Sequence, residues 1–242
     1  MSAEKPPIPS VWARRRQRRD QPALSQDRIV SEAVRLLDEE GMDALSMRGL
    51  GARLGAGATS LYRHVANKDE LIELVVDEVY GEVRVPDADG GPDAWRAAVA
   101  ECAHSLRSMI LRHPWVASVL GQVGLIELGP NLTRQSERML ALFQAAGFAP
   151  DEADQAISAL IAYVVGMTVN EAAYLSMLAR SGRTEQEMAE ELRAAAQQAA
   201  PGHPLLEAWR NDDPRQIRER KFVYGLDRLL DGLQTRLGPA GT

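Results

Sequence analysis

Residues 45–68 run LSMRGLGARLGAGATSLYRHVANK. Ser46 can cap a short helix that carries Met47, Leu50 and Leu54. Gly55 ends that helix in a tight turn, and a second short piece follows over roughly 57–64. Leu50, Leu54, Leu61 and Val65 supply apolar contacts that fix the two pieces together. A helix-turn-helix needs this much: a small packed scaffold that presents one short helix to the major groove. Many helical hairpins bind nothing, so spacing alone leaves both readings open.

Outward from this stretch the chain stays helical. Ser25 is a candidate N-cap and Gly41 a candidate stop for a helix whose Ile29, Val30, Ala33, Leu36 and Leu37 form one stripe. Asn67, with Glu70 three residues on, opens a longer helix buried through Leu71, Leu74, Val75 and Val79 and expected to run to about Val85. Residues 85–93, VPDADGGPD, read as a linker. Trp95, Val99, Cys102, Leu106, Met109 and Ile110 then share a stripe that Pro114 ends. Segments near 115–122 and 128–146 follow, broken by Gly129-Pro130 and closed by Gly147. From Pro150 and Asp151 a long helix extends to about Ser181. Ile157, Leu160, Ile161, Val164, Val165, Met167, Leu175 and Leu178 surround it, so burial on more than one side is expected. Thr184 to Glu187 form a capping box for a polar helix to about 199. Residues 200–212 hold Pro201, Gly202 and Pro204 beside Leu205, Leu206 and Trp209. Asp213-Pro214 start a last helix carrying Phe222, Leu226, Leu229, Leu230, Leu233 and Leu237. No period-two run or hairpin signal appears, so the fold class is all-α.

The chain has 242 residues, 45% apolar and 26% charged, enough for a sizeable core. Cys102 is the single cysteine, which excludes an internal disulfide or a cysteine-rich metal site. No run approaches eighteen consecutive apolar residues, and no secretory signal opens the chain. The expectation is a cytoplasmic protein without a membrane partner. Net charge is −6, yet residues 1–68 carry +4 and the rest −10. A basic head on an acidic body suits a polyanion. Arg14, Arg15, Arg16, Arg18 and Arg19, beside Trp12, form the densest patch. Residues 1–24 read as a disordered basic arm, residues 25–85 as a helix-turn-helix domain with linker helix, and residues 86–242 as a second helical domain. The arm can follow phosphates or enter a minor groove.

The segment resembles the DNA-binding domain of the TetR (tetracycline-repressor) family of bacterial regulators. Leu45-Ser46-Met47-Arg48, Leu50, Leu54-Gly55, Ser60-Leu61-Tyr62, His64-Val65 and Asn67-Lys68 carry the likeness, with Ile29-Val30, Ala33, Leu36 and Gly41 before them. Phe222 and Gly225-Leu226-Asp227-Arg228 resemble the tetracycline-repressor branch. The resemblance implies a homodimer on a palindromic double-stranded operator, released by a small-molecule effector. It assigns Ser46, Arg48, Thr59, Ser60, Tyr62, His64 and Lys68 to DNA. Ser46 suits a phosphate at a helix N-terminus, Arg48 a guanine edge, Tyr62 a thymine methyl or phosphate, and His64 and Lys68 phosphates. Gly57 and Ala58 offer no hydrogen-bonding side chain, so base reading falls to few groups.

The resemblance makes the C-terminal part a ligand-binding and dimerisation bundle with a largely apolar cavity. His104, Met109, Phe143, Tyr163, Met167, Asn170 and Tyr174 are candidate lining residues. Asn170, an amide within an apolar helix, needs a partner from a ligand, a second subunit or a neighbouring helix. Leu175, Leu178, Leu226, Leu229, Leu230 and Leu233 are candidates for the dimer contact. His104, His113 and His203 form no metal-ligand pattern, and no cofactor motif is present, so neither metal nor cofactor is expected. An enzyme lacks its nucleophile or cofactor loop here. The remaining alternative is a helical dimeric interaction protein without sequence-specific DNA binding.

Overall fold

A computed structural model describes residues 24–88, 94–123, 129–199 and 213–237. The Arg14–Arg19 patch, most of the 85–93 linker and the 200–212 stretch lie outside the described residues. Within them the regular structure is helical throughout: α1 Gln26–Glu40, α2 Met47–Arg53, α3 Ala58–Leu61, α4 Lys68–Tyr80, α5 Trp95–Arg112, α6 Val116–Val123, α7 Pro130–Ala145, α8 Pro150–Ser181, α9 Glu185–Ala199 and α10 Pro214–Gln234.

The caps are those the residue types favour. Ser25 Oγ accepts from the Arg28 amide, Ser46 Oγ from Gly49, Asn67 Oδ1 from Glu70 and Asp213 Oδ1 from Arg215. The Glu70 carboxylate accepts from the amide of Ala66, one residue before the N-cap, a variant of the capping box. Thr184 and Glu187 bond each other's amides before α9 and make the full capping box.

Helix α4 stops at Tyr80, short of the expected Val85. The Gly81 amide closes the last turn on Asp77 and Glu78 carbonyls, and Pro86 disfavours helix at residue 85. Val83 and Val85 are nevertheless buried in the strap that follows, whose Arg84 amide donates to Ser105 Oγ on α5. One apolar core runs from Ile29 through Leu71 and Val85 to Phe143, Leu160 and Leu230.

Helix α8 differs from expectation. It is buried along one face only, through Ala153, Ala156, Leu160, Val164, Thr168 and Ala172. Ile161 and Met177 stay 41% and 40% exposed, because no other part of the described chain covers that side. An 18-residue window of α8 has mean hydropathy 1.5, long and apolar enough by composition to cross a membrane. Scattered Gly166, Thr168 and Asn170 hide this from a count of consecutive apolar residues. Only 28% of that window is buried.

Candidate DNA-binding and effector sites

The helix-turn-helix is built tightly. The Ala56 amide donates to the Gly51 carbonyl at 2.8 Å. A Cβ at Gly51 would meet the Ala56 carbonyl at 2.8 Å, so α2 and α3 approach this closely only over glycine. Gly55 takes a positive φ of 65° in the turn between them. Leu50, Leu54, Leu61 and Val65 are buried beneath. Arg53 anchors α2 to α1: its guanidinium donates to Glu32 at 2.8 Å, Glu39 at 2.7 Å and Glu40 at 3.0 Å. The Glu32 and Glu39 hydrogen bonds hold that guanidinium's pKa above its ordinary value.

This packing turns a set of side chains outward. Ser46, Arg48, Thr59, Tyr62, Arg63 and Lys68 are exposed, and Ser60 and His64 half-buried. Tyr62, at 51%, is a large ring left in solvent. Recognition helix α3 is a single turn, shorter than the expected 57–64, so Tyr62 and His64 stand in the turn after it. Gln26 Nε2 donates to the His64 carbonyl, tying that turn to α1. Ser46 spends an acceptor lone pair on its cap and retains a donor. Lys68 occupies the first position of α4, where backbone amides face outward.

The candidate effector residues do not form one group. Phe143 is fully buried in an aromatic trio with Trp95 and Phe148, and Met109 is fully buried too. His104 and Tyr163 meet around Phe222, edge-on at 5.2 Å and tilted at 5.8 Å. Tyr163 Oη donates to the Phe222 carbonyl at 2.7 Å. Tyr174 lies under the Arg218 guanidinium. Met167 is partly buried against the core. Asn170 is exposed, and its Nδ2 donates to the Gly166 carbonyl of its own helix.

Sequence reasoning missed three features here. Gln135 on α7 is buried, and its Oε1 has no hydrogen-bond partner among the described residues. Arg107 on α5 is buried and forks onto Glu171 of α8 at 2.8 and 3.0 Å, with a third bond to Glu219 of α10 at 2.6 Å. Arg218 extends this network to Glu171 and Glu185. Asp77 on α4 accepts from the Leu132 amide at 2.9 Å and from Asn131 Nδ2 at 3.1 Å, capping α7 from another helix.

Two of the residues expected at the dimer contact face the chain's own core. Leu226 and Leu230 are 2% and 1% exposed within a single chain, because the face of α10 that carries them packs on the chain's own core. Leu175, Leu178, Leu229 and Leu233 are half-buried.

Residues 29–75 match the family model for bacterial regulatory proteins of the tetR family, and residues 86–237 match the tetracyclin repressor-like C-terminal domain. The chain belongs to the TetR family. Its relatives include an HTH-type transcriptional regulator of Saccharopolyspora erythraea, 41% identical over 76% of each chain. The TetR-family protein ActR of Streptomyces coelicolor, solved with actinorhodin, superposes with TM-score 0.69 at 32% identity, over 90% of this chain and all of that one. BioQ with its double-stranded DNA operator superposes with TM-score 0.62 at 26% identity, covering 87% and 98%. The chain is thus a TetR-type transcriptional regulator, all-helical, with an N-terminal helix-turn-helix domain and a C-terminal helical domain.

Proposed function

We propose that this TetR-family chain is a cytoplasmic repressor that acts by binding, without catalysis. It occupies a palindromic operator as a homodimer and leaves when a small molecule enters the C-terminal bundle. The observation that carries this reading is the exposed rim of Ser46, Arg48, Thr59, Tyr62 and Lys68 on a scaffold closed by Gly51. Ser60 and His64 complete the set assigned to DNA. Residues 25–85 serve as the DNA-binding unit, residues 86–242 as the effector and dimer unit, and the basic arm before residue 25 as an auxiliary phosphate contact.

The dimer contact moves from the buried leucines to a bare strip on α8. Ala162, Gly166, Val169, Ala173 and Met177 recur at helical spacing, and Ala162, Gly166, Ala173 and Met177 are exposed. Small side chains let a second helix approach closely. Val223 and Tyr224 on α10, 36% and 67% exposed, extend it. This partner also accounts for the low burial of an apolar helix, with no membrane needed. Of the effector candidates, His104 and Tyr163 gain support from their shared contact with Phe222. Gln135 Oε1 joins them as an acceptor waiting for a donor.

Ligand in the bundle favours one of two head spacings, and operator affinity falls. Linkage requires operator DNA to weaken ligand binding by the same factor. The test is sedimentation with and without mixed-sequence duplex at two salt concentrations. The wild type sediments as a dimer and binds in a salt-sensitive way, while Gly166→Arg is monomeric and binds far more weakly. A monomeric wild type, or one that ignores DNA at low salt, overturns the reading.

A further inference from the structure

Beside the shared apolar core and the Asp77 cap on α7, a small polar knot joins the DNA-binding head to the body. Asp38 lies on α1. His113 and Trp115 flank Pro114 at the corner where α5 gives way to α6. A single carboxylate oxygen, Asp38 Oδ1, accepts from Trp115 Nε1 at 2.8 Å and faces His113 Nδ1 at 2.7 Å. The opposite ring nitrogen, His113 Nε2, faces Glu82 Oε1 at 3.2 Å, just past the end of α4. Arg112 also pairs with Glu82. His113 and Trp115 are 6% and 5% exposed, so water cannot take over their bonds while the knot is closed. The two rings pack edge to face at 6.2 Å.

We propose that Asp38 is a positioning residue that fixes the tilt of the head on the body and thereby the operator half-site spacing. The inference rests on the repressor reading above. Its logic is geometric. Helix α1 packs through Ile29, Leu36 and Leu37 into the same core as α2 and α4. A turn of α1 therefore carries the whole helix-turn-helix with it. Asp38 Oδ1 accepts from the Trp115 indole N–H and meets one ring nitrogen of His113 at the α5–α6 corner, and Glu82, just past α4, meets the other ring nitrogen of the same histidine. Any shift of that corner pulls the beginning and end of the head together. Directed bonds to buried donors are either made or broken, which gives the head a defined angle. None of Asp38, His113 or Trp115 belongs to the outward rim, so the half-site bases are read elsewhere.

The test uses duplexes carrying the half-sites that the wild type selects, set at stepped spacings. Asp38→Ala removes the shared acceptor. Trp115→Phe keeps an aromatic ring at this place while removing the indole N–H together with its five-membered ring, and it is the second variant if Asp38→Ala fails to fold. The wild type prefers one spacing. Both variants keep the half-site sequence, and thermal melts show Trp115→Phe folded at the assay temperature with a lowered midpoint, while discrimination between spacings falls about tenfold. If Asp38→Ala does not fold, Trp115→Phe alone decides. Unchanged spacing discrimination in a folded variant overturns the proposal. Loss of half-site sequence preference in Trp115→Phe also overturns it, since the knot would then shape the rim itself. A wild type that selects no palindrome overturns the repressor reading, and the proposal with it.

Discussion

Gly129 and Asp77 occupy each other's space: a Cβ at Gly129 would overlap the Asp77 carboxylate. That carboxylate caps α7 through Leu132 and Asn131, so the glycine is what lets the head's last helix grip the body. Asp77→Ala is expected to cost about 1–2 kcal/mol, the usual worth of a lost N-cap. Gly129→Ala should cost a similar amount by pushing the carboxylate away. The double variant should cost little more than Asp77→Ala, because both remove one interaction. Urea unfolding of the three proteins checks this; fully additive losses would show the two residues to be independent.

Arg107 ties α5 to both long helices of the bundle. Its side chain and that of Glu171 are 10% and 11% exposed. Arg107→Ala leaves Glu171 with much of its compensation gone, and about 3–5 kcal/mol of stability should be lost. Arg107→Lys should recover only part, since an ammonium cannot reproduce the fork onto Glu171. Denaturant midpoints for the two variants measure this, and a Lys variant equal to wild type would contradict it.

The fold was legible because its signals are local. Ser25, Ser46, Asn67 and Asp213 each capped the helix that their residue type and position announced. Gly55 ended α2 where expected. What was not legible depends on partners distant in sequence. Asp77 is 54 residues from Asn131, and Arg107 is 64 from Glu171. Gly51 looks like an ordinary helix glycine until the turn folds back on it. Leu226 and Leu230 form a good heptad-like stripe, but a stripe does not say whether its partner lies in the same chain. Asn170 donates back to Gly166 of its own helix, a bond that no spacing rule demanded.

On DNA, Lys68 and Arg48 should separate. Lys68→Ala is expected to weaken every sequence alike and to lower the slope of log affinity against log salt by about 0.9. Arg48→Ala should relax preference at one base pair per half-site, worth about 1–3 kcal/mol. Titrations over a salt series on matched and mismatched duplexes resolve the two. A uniform loss for Arg48→Ala would make it a backbone contact.

Acid should loosen the body through two glutamates. Burial works to raise the Glu185 carboxyl, but hydrogen bonds from Arg218 and Arg215 outweigh it and hold the group below its ordinary 4.5. Glu82 is likewise raised by burial and held lower still by His113 and Arg112. A depressed folded value means stability that is fully present above the ordinary value and lost as pH falls through the folded one. Stability should therefore be flat with respect to these groups down to about pH 5 and fall below about 4.5. Glu185→Gln should be less stable at pH 7 and flatten the acid limb, as followed by thermal melts. An unchanged acid limb would remove Glu185 from the account.

The most direct measurement is a selection of random duplex DNA by the purified protein, sequenced after enrichment at two salt concentrations. The account predicts a palindrome with dyad symmetry, its half-site centres about 34–36 Å apart or a multiple of that. Salt-sensitive retention without any enriched sequence would contradict specific operator binding.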